Sequence, residues 1–260
     1  MLKRFIGVIT VKDNWAVQSI GYKRYLPMGR PEVIAENYDR WQLDEIFVID
    51  IDRSRFGQGP NFGLLEKITG KNLMTPLCYM GGIRDSDDAL KLISLGADRI
   101  ALDSLFRECP SAVETISNAI GRQAVIRAQP VIAKGKDILV YDHLSGSTKE
   151  KINVQKIVNS NSHFSELMVI DVLNEGSIEA FNTDLLVPFR ESSLQLIYFG
   201  GITTSLQVKH ILAEDNVSAI AIGNSLSYRE IPHKMLLPQT EVDLARQTSF
   251  GVSTSGAKEW

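Results

Sequence analysis

Two glycine pairs are where this sequence first points to chemistry. Gly81-Gly82 and Gly200-Gly201 each follow a short apolar run, and about 22 residues later each is answered by a hydroxyl at the end of another such run, Ser104 or Ser225. Glycine lets backbone N–H groups close on an anion, and a helix beginning there adds the positive end of its dipole. A lone Gly-Gly reads as a tight turn; a pair facing a hydroxyl from the adjoining strand end reads as a phosphate cup. Asn224, beside Ser225, belongs to the second cup, which Gly176-Ser177 would complete, and Gly57 with its neighbours would complete the first. Two cups imply a phosphorylated small-molecule ligand held at both ends. Asp103, next to Ser104, would repel an anion unless it turns away.

Groups for proton transfer stand near the same ends. Asp50, Asp52, Asp171 and Glu175 follow apolar runs, as do Lys12 and Asp13; each is a candidate acid or base, with a structural or solvated charge as the alternative. The histidines, His143, His163, His210 and His233, fall outside this pattern and read as surface or packing residues. Neither they nor Cys78 and Cys109 have metal-ligand or triad spacing, so no metal and no cofactor is expected. The cysteines read as reduced thiols, which suits a cytoplasmic protein. There is no nucleophile elbow, Walker loop or dinucleotide fingerprint.

The elements that must hold these residues are legible in the hydropathy. A chain of 260 residues, 44% apolar and 23% charged, is long enough for one large core. Its formal net charge of −3, with both signs scattered, gives no support to nucleic-acid binding, and no apolar stretch is long enough to cross a membrane. Lys3-Arg4 and the apolar run 5–11 superficially resemble a signal peptide, but the run ends at Lys12-Asp13 without a small-residue cleavage site and reads as a strand. Strands are expected at 5–11, 45–51, 77–80, 99–102, 124–128, 166–172, 196–199 and 218–222. Helices are expected between them at 31–41, 62–71, 86–95, 109–120, 154–160, 183–192 and 205–213. That alternation is the rhythm of a parallel sheet, and eight strands close into a (β/α)₈ barrel. One β-hairpin, over 132–151, interrupts the rhythm after the fifth strand.

The chain also repeats itself. Tyr79-Met80-Gly81-Gly82-Ile83 returns as Tyr198-Phe199-Gly200-Gly201-Ile202 after 119 positions, and Glu45 to Asp50 is answered by Glu166 to Asp171 after 121, the offset that also relates Ser104 to Ser225. Segments sharing nearly one offset indicate two duplicated half-barrels, about 1–120 and 121–235, followed by a tail at 236–260.

Over nearly its whole length the chain resembles the cyclase subunit of imidazole glycerol phosphate synthase, of the histidine pathway. The matching motifs, in order, are Met1-Leu2-Lys3-Arg4, Val11-Lys12-Asp13, Asp44-Glu45 with Asp50, Gly81-Gly82-Ile83, Gly96-Ala97-Asp98, Gln123-Ala124-Val125, Gly200-Gly201 and Tyr228-Arg229-Glu230-Ile231. The resemblance implies a barrel that forms a heterodimer with a class I glutaminase on its N-terminal face and passes ammonia through its centre to an active site on the opposite face. It also implies a charged gate, matched by Arg4, Glu45, Arg99 and Glu166, and a glutaminase contact at Asp98. Structural salt bridges are the alternative account of those four charges.

At the catalytic end the likeness fails. The family's two acid/base aspartates are matched by Thr10 and by Pro130, which follows Gln129; its first-loop lysine is matched by Gln18, and Phe199 replaces a small residue. Thr10 stays a candidate by position, yet a hydroxyl is no carboxylate and proline has no group to transfer a proton. A kept gate with altered catalysis implies that ammonia reaches a different acceptor. Relatives of this kind resemble components of surface-sugar pathways, where nitrogen goes onto an acetamido sugar in lipopolysaccharide biosynthesis. The alternatives are an authentic cyclase using Asp50, Asp171 or Lys12, and a catalytically silent barrel that activates its glutaminase.

Overall fold

The computed structural model describes residues 3–227. Met1-Leu2, the 228–231 motif, His233, the end of the second half-barrel and the tail at 236–260 lie outside the described residues.

The first half runs β1 (Arg4–Lys12), β2 (Trp15–Ile20), β3 (Arg24–Gly29), α1 (Pro31–Arg40), β4 (Glu45–Asp50), α2 (Ile51–Arg55), α3 (Phe62–Thr69), β5 (Leu77–Met80), α4 (Ser86–Ser94), β6 (Arg99–Leu102), α5 (Leu105–Glu108) and α6 (Pro110–Ile120). The second runs β7 (Val125–Lys134), β8 (Asp137–Asp142), β9 (Ser147–Lys151), α7 (Val154–Asn159), β10 (Glu166–Asp171), β11 (Gln195–Phe199), α8 (Ser205–Leu212), β12 (Val217–Ile222) and α9 (Asn224–Ser227). Eight of these strands, β1, β4, β5, β6, β7, β10, β11 and β12, pair in parallel in that order, and β12 returns to β1. The fold is a TIM barrel of two similar halves.

Strand period two sorts the apolar residues into two layers. Ile6, Val8, Phe47, Ile49, Cys78, Ala101, Ile126, Ala128, Met168, Ile170, Ile197 and Phe199 fill the barrel. Their neighbours Ile9, Val11, Val48, Tyr79, Val125, Val169 and Tyr198 face outward to the helices. With both faces buried, each strand reads as a continuous apolar run. The same alternation aims Arg4, Glu45, Arg99 and Glu166 inward at the N-terminal end, and Thr10, Lys12 and Pro130 inward at the C-terminal end.

Three expectations need correction. A second hairpin, β2–β3, follows β1 directly. Its entry turn holds Asp13 and Asn14 at φ of 51° and 64° between the paired Lys12 and Trp15. Asp and Asn are residues that tolerate two positive φ angles in succession, so the Asp13-Asn14 pair was the sequence signal for this turn. The later hairpin is no separate insertion: β7 runs unbroken from Val125 to Lys134 and pairs onward with β8. No α-helix forms over 183–192; two 3₁₀ turns, Thr183–Leu185 and Val187–Phe189, stand there. Pro188 has no N–H to donate one turn back and its ring crowds that carbonyl, which breaks the apolar pattern as a helix.

Candidate active site and axial charge ring

At the N-terminal end the four inward charges close into a ring. Arg4 donates to Glu45 at 3.1 Å and to Glu166 at 2.5 Å, while Arg99 lies 3.3 Å from Glu45 and 2.6 Å from Glu166. Each carboxylate is thus bracketed by two guanidiniums. Burial pushes the Glu45 carboxyl up against the pull of both arginines. Burial acts the same way on Glu166, but Arg4, Arg99 and the Ser218 hydroxyl overcome it and hold that carboxyl below its usual range. Ser165, which takes a 2.9 Å hydrogen bond from Arg99, and Ser218 are supports that the sequence did not announce. Two buried polar atoms at the same level, Arg99 Nε and Gln195 Oε1, have no hydrogen-bond partner among the described residues. Gln195 is the register partner of Glu166, so a donor and an acceptor stand beside the ring, open to a small polar guest.

Asp98 is exposed on this same end, where its carboxylate accepts the Leu77 amide at 2.8 Å. Asp44 does the same for Phe5 at 2.7 Å, so this contact is a device for starting strands and does not by itself mark a docking residue.

At the opposite end the glycine pairs have a structural reason to be glycine. A Cβ on Gly81 would lie 2.3 Å from the Asp50 carbonyl oxygen, and one on Gly200 would lie 2.5 Å from that of Asp171. Gly82 and Gly201 share a φ of +72°. The pairs therefore let each strand end cross close over its neighbour, and the Gly82 amide donates to Ser54 at 3.0 Å.

The two candidate bases Asp50 and Asp171 point out of the barrel into matching hydrogen-bond sets. Asp50 accepts from Asn61 at 3.1 Å and lies 3.5 Å from Arg53. Asp171 accepts from Asn174 at 2.7 Å and from the Asn182 amide at 3.3 Å. Burial raises both carboxyls, opposed by these contacts. Asn61 and Asn182 are themselves helix N-caps, 121 positions apart, so both aspartates anchor caps. Lys12 lies at the mouth, ion-paired to Asp13 at 3.0 Å and to Asp52 at 3.5 Å, contacts that keep it charged and unsuited to act as a base. Thr10 and Pro130 are buried in the inner face of the mouth.

Between the first-half strand ends and both hairpins lies a cavity of about 440 Å³. It brings together Gly81, Gly82, Ser54 and Ser104 at one end with Tyr22, Tyr25, Tyr141 and His143. His143 stands edge-on to Tyr22, centroids 4.8 Å apart, and to Tyr141 at 5.0 Å, which joins the tips of the two hairpins over the barrel. Burial and the nearby Arg107 push its imidazole down to about 4, so it is neutral at pH 7. Sequence pattern read His143 as a surface or packing residue; only the folded hairpins show that it packs here, over the cavity. Asp103 faces the same cavity, and Arg107 takes its Oδ1 at 2.6 Å.

The second-half cup is smaller, about 20 Å³, and is lined by Gly176, Ser177, Gly200, Gly201, Asn224 and Ser225, with Phe199 on its inner side. Two of its members are engaged by the first hairpin: Asn224 donates to the Ser19 carbonyl at 2.6 Å, and Gly176 packs against the same oxygen. Glu175, beside them, accepts from Ser19 Oγ at 2.9 Å and from the Tyr22 amide at 3.2 Å, and burial lifts its carboxyl to about 7.

The family described as histidine biosynthesis protein matches residues 4–232. The chain belongs to that family. Among its relatives, a provisionally named imidazole glycerol phosphate synthase subunit HisF of Leptospira borgpetersenii is 25% identical over 90% of this chain and 93% of its own length. A provisionally named second HisF-type subunit of Campylobacter jejuni is 28% identical over 95% and 97%. An imidazole glycerol phosphate synthase subunit HisF of Natranaerobius thermophilus is 25% identical over 91% and 94%. At such identities this histidine biosynthesis family member is a divergent, HisF-like barrel. Among the described residues no group of His, Cys, Asp and Glu is placed to hold a metal, and no helix is long and apolar enough to cross a membrane.

Proposed function

We propose that this barrel is the acceptor subunit of a cytoplasmic ammonia-transferring complex. A class I glutaminase docks on the face that carries Asp98, and ammonia enters through the ring of Arg4, Glu45, Arg99 and Glu166. It follows the barrel axis to the C-terminal mouth. There it meets a phosphorylated acceptor other than the histidine-pathway substrate, of the acetamido-sugar class used in lipopolysaccharide and other surface polysaccharides. The observation that carries this reading is the contrast along one axis: the four-charge ring is closed at the bottom, while Thr10 and Pro130 occupy the inner mouth. Inward charges at the floor of a barrel are expensive to bury and contribute little stability over an apolar floor, so a ring maintained there speaks for passage of a polar molecule. The aromatic groups of the larger cavity suit a sugar ring and its Gly-Gly-Ser end suits the phosphate. Asp50 and Asp171, occupied outside the barrel, weigh against an authentic cyclase with substitute bases.

Co-expression with a class I glutaminase from the same genome tests the complex: stable co-purification and faster glutamine hydrolysis are expected, and their absence sinks the proposal. Amide-¹⁵N-glutamine then follows the nitrogen. Label in an acetamido-sugar product supports the acceptor class, whereas stimulation without label on any acceptor supports a silent activator. A strain lacking the histidine cyclase should not be rescued, because two missing acid/base groups at about 10²–10⁴-fold each lower the rate by several orders of magnitude.

A further inference from the structure

A mouth without the two family aspartates has no evident proton-transfer group at the usual positions, yet three carboxyls line its cavity; Asp50 is taken up by Asn61 and Arg53 and Asp52 by Lys12, which leaves Asp103. Strand alternation carries Arg99 and Ala101 inward and so turns Asp103, one residue past β6, toward the lumen. It lines the 440 Å³ cavity as the chain neighbour of Ser104, the hydroxyl of the first cup. Its side chain is 10% exposed, and only its Oδ1 is engaged, by Arg107 at 2.6 Å; Oδ2 has no hydrogen-bond partner among the described residues. Arg107 is itself shared, reaching Asp142 of β8 at 3.2 Å, and Lys149 of β9 lies 3.4 Å from that second carboxylate. The arginine therefore divides its charge between Asp103 and Asp142, while Asp103 lines the cavity.

We infer that Asp103 is the proton-transfer group of this mouth, held in its acid form when an anion occupies the cup of Gly81, Gly82 and Ser104. The inference rests on the reading of that cup as an anion site. Like charges in adjoining positions cannot both persist at low cost, so a bound anion draws a proton onto Asp103. Burial already lifts this carboxyl to about 6, opposed by Arg107, reinforced by Asp142 and opposed again by Arg127 of β7; Tyr22 and the neutral His143 face it from the hairpins. A modest further push therefore makes it an acid at pH 7. When ammonia's nitrogen bonds to a carbonyl-type carbon and the C–O bond breaks, the departing oxygen takes one proton shed by the nitrogen and one from Asp103, and leaves as water. The second proton shed by the nitrogen returns Asp103 to its acid form.

Sulfate, a dianion throughout the working pH range, is a suitable probe for the full-length chain. With Asp103 ionised at pH 8 and neutral at pH 5, sulfate should bind about tenfold more tightly at pH 5, with uptake of about half a proton per sulfate near pH 6.5. Asp103→Asn should abolish the uptake and give at pH 8 the affinity that the chain with Asp103 shows at pH 5. Glu175 lines the other cup, and both proteins carry Glu175→Gln so that proton uptake at that cup does not enter the comparison. Carboxyl NMR assigned with Asp103→Asn should show this group titrating near 6 without sulfate and at least about one unit higher with it. Sulfate binding with no proton uptake, or uptake that survives Asp103→Asn, overturns the inference and spares the anion cup. Failure of both proteins to bind sulfate overturns the cup and the inference with it, and a free Asp103 titrating near 4 overturns the inference alone.

Discussion

The two half-barrels agree where they build the scaffold and part where they meet solvent. Asp50 and Asn61 have their counterparts in Asp171 and Asn182, and each Gly-Gly crosses so close over the carbonyl of its aspartate that a Cβ there would lie 2.3 Å or 2.5 Å from the oxygen. Above that shared frame the first half opens into about 440 Å³ and the second into about 20 Å³. The hairpin after β1 causes the difference. Its contacts with Glu175, Gly176 and Asn224 hold Ser19 and Tyr22 tightly against the second half, whereas over the first half its Tyr22 and Tyr25 only line the rim of a larger space. A duplicated frame thus carries one open site and one clasped site, and a two-fold sequence signal does not imply two equal ligand sites.

The largest effect should come from disturbing the clasp. Gly176 and Gly57 stand 119 positions apart, both at positive φ, but a Cβ on Gly176 would lie 2.0 Å from the Ser19 carbonyl while one on Gly57 meets nothing within 4 Å. Gly176→Ala should cost roughly 3 kcal/mol or more in urea unfolding and expose the hairpin to protease, against about 1 kcal/mol for Gly57→Ala. Equal costs would remove the asymmetry.

Next is the pH dependence of the clasp. Glu175 has a folded carboxyl at about 7, above its ordinary 4.5, so its acid form is the one the fold prefers. The associated stability is complete below about pH 4.5 and is lost as pH rises through 7. Glu175→Gln should therefore remove a loss on the order of 2–3 kcal/mol between pH 5 and 8, read as a flatter stability-against-pH curve than that of the unaltered chain. An identical curve would mean that the clasp does not depend on this carboxyl.

A smaller effect is expected for ligands. Crystals grown in sulfate should show an anion at both cups, with higher occupancy beside Gly82 and Ser104 than beside Gly201 and Ser225. Phe199 corresponds to Met80 by the same offset of 119, and Phe199→Met, a volume-tolerant change of under about 1.5 kcal/mol, should narrow that gap. Occupancies that are equal before the substitution would show that Phe199 and the clasp leave the second cup open.

Much of this protein was readable without coordinates, because its strands are buried on both faces and its repeats share nearly one offset. The eight apolar runs, the two glycine pairs and the inward placement of Arg4, Glu45, Arg99 and Glu166 follow from period-two geometry and chain order alone. Local chemistry would also have given the Asp13-Asn14 turn and the break at Pro188. What the sequence could not decide is where side chains from distant loops meet. Asp50 and Asp171 sit at strand ends like catalytic carboxylates; alternation from Glu45 and Glu166 turns them outward, and the tertiary structure adds the helix caps that engage them. His143 and Asp103 lie 40 positions apart on different elements and reach one cavity because a hairpin folds back over the barrel. The fold follows from patterns that each segment carries in itself; the open mouth depends on the direction in which two hairpins lean, and that is settled by contacts between residues up to 205 positions apart, such as Ser19 and Asn224.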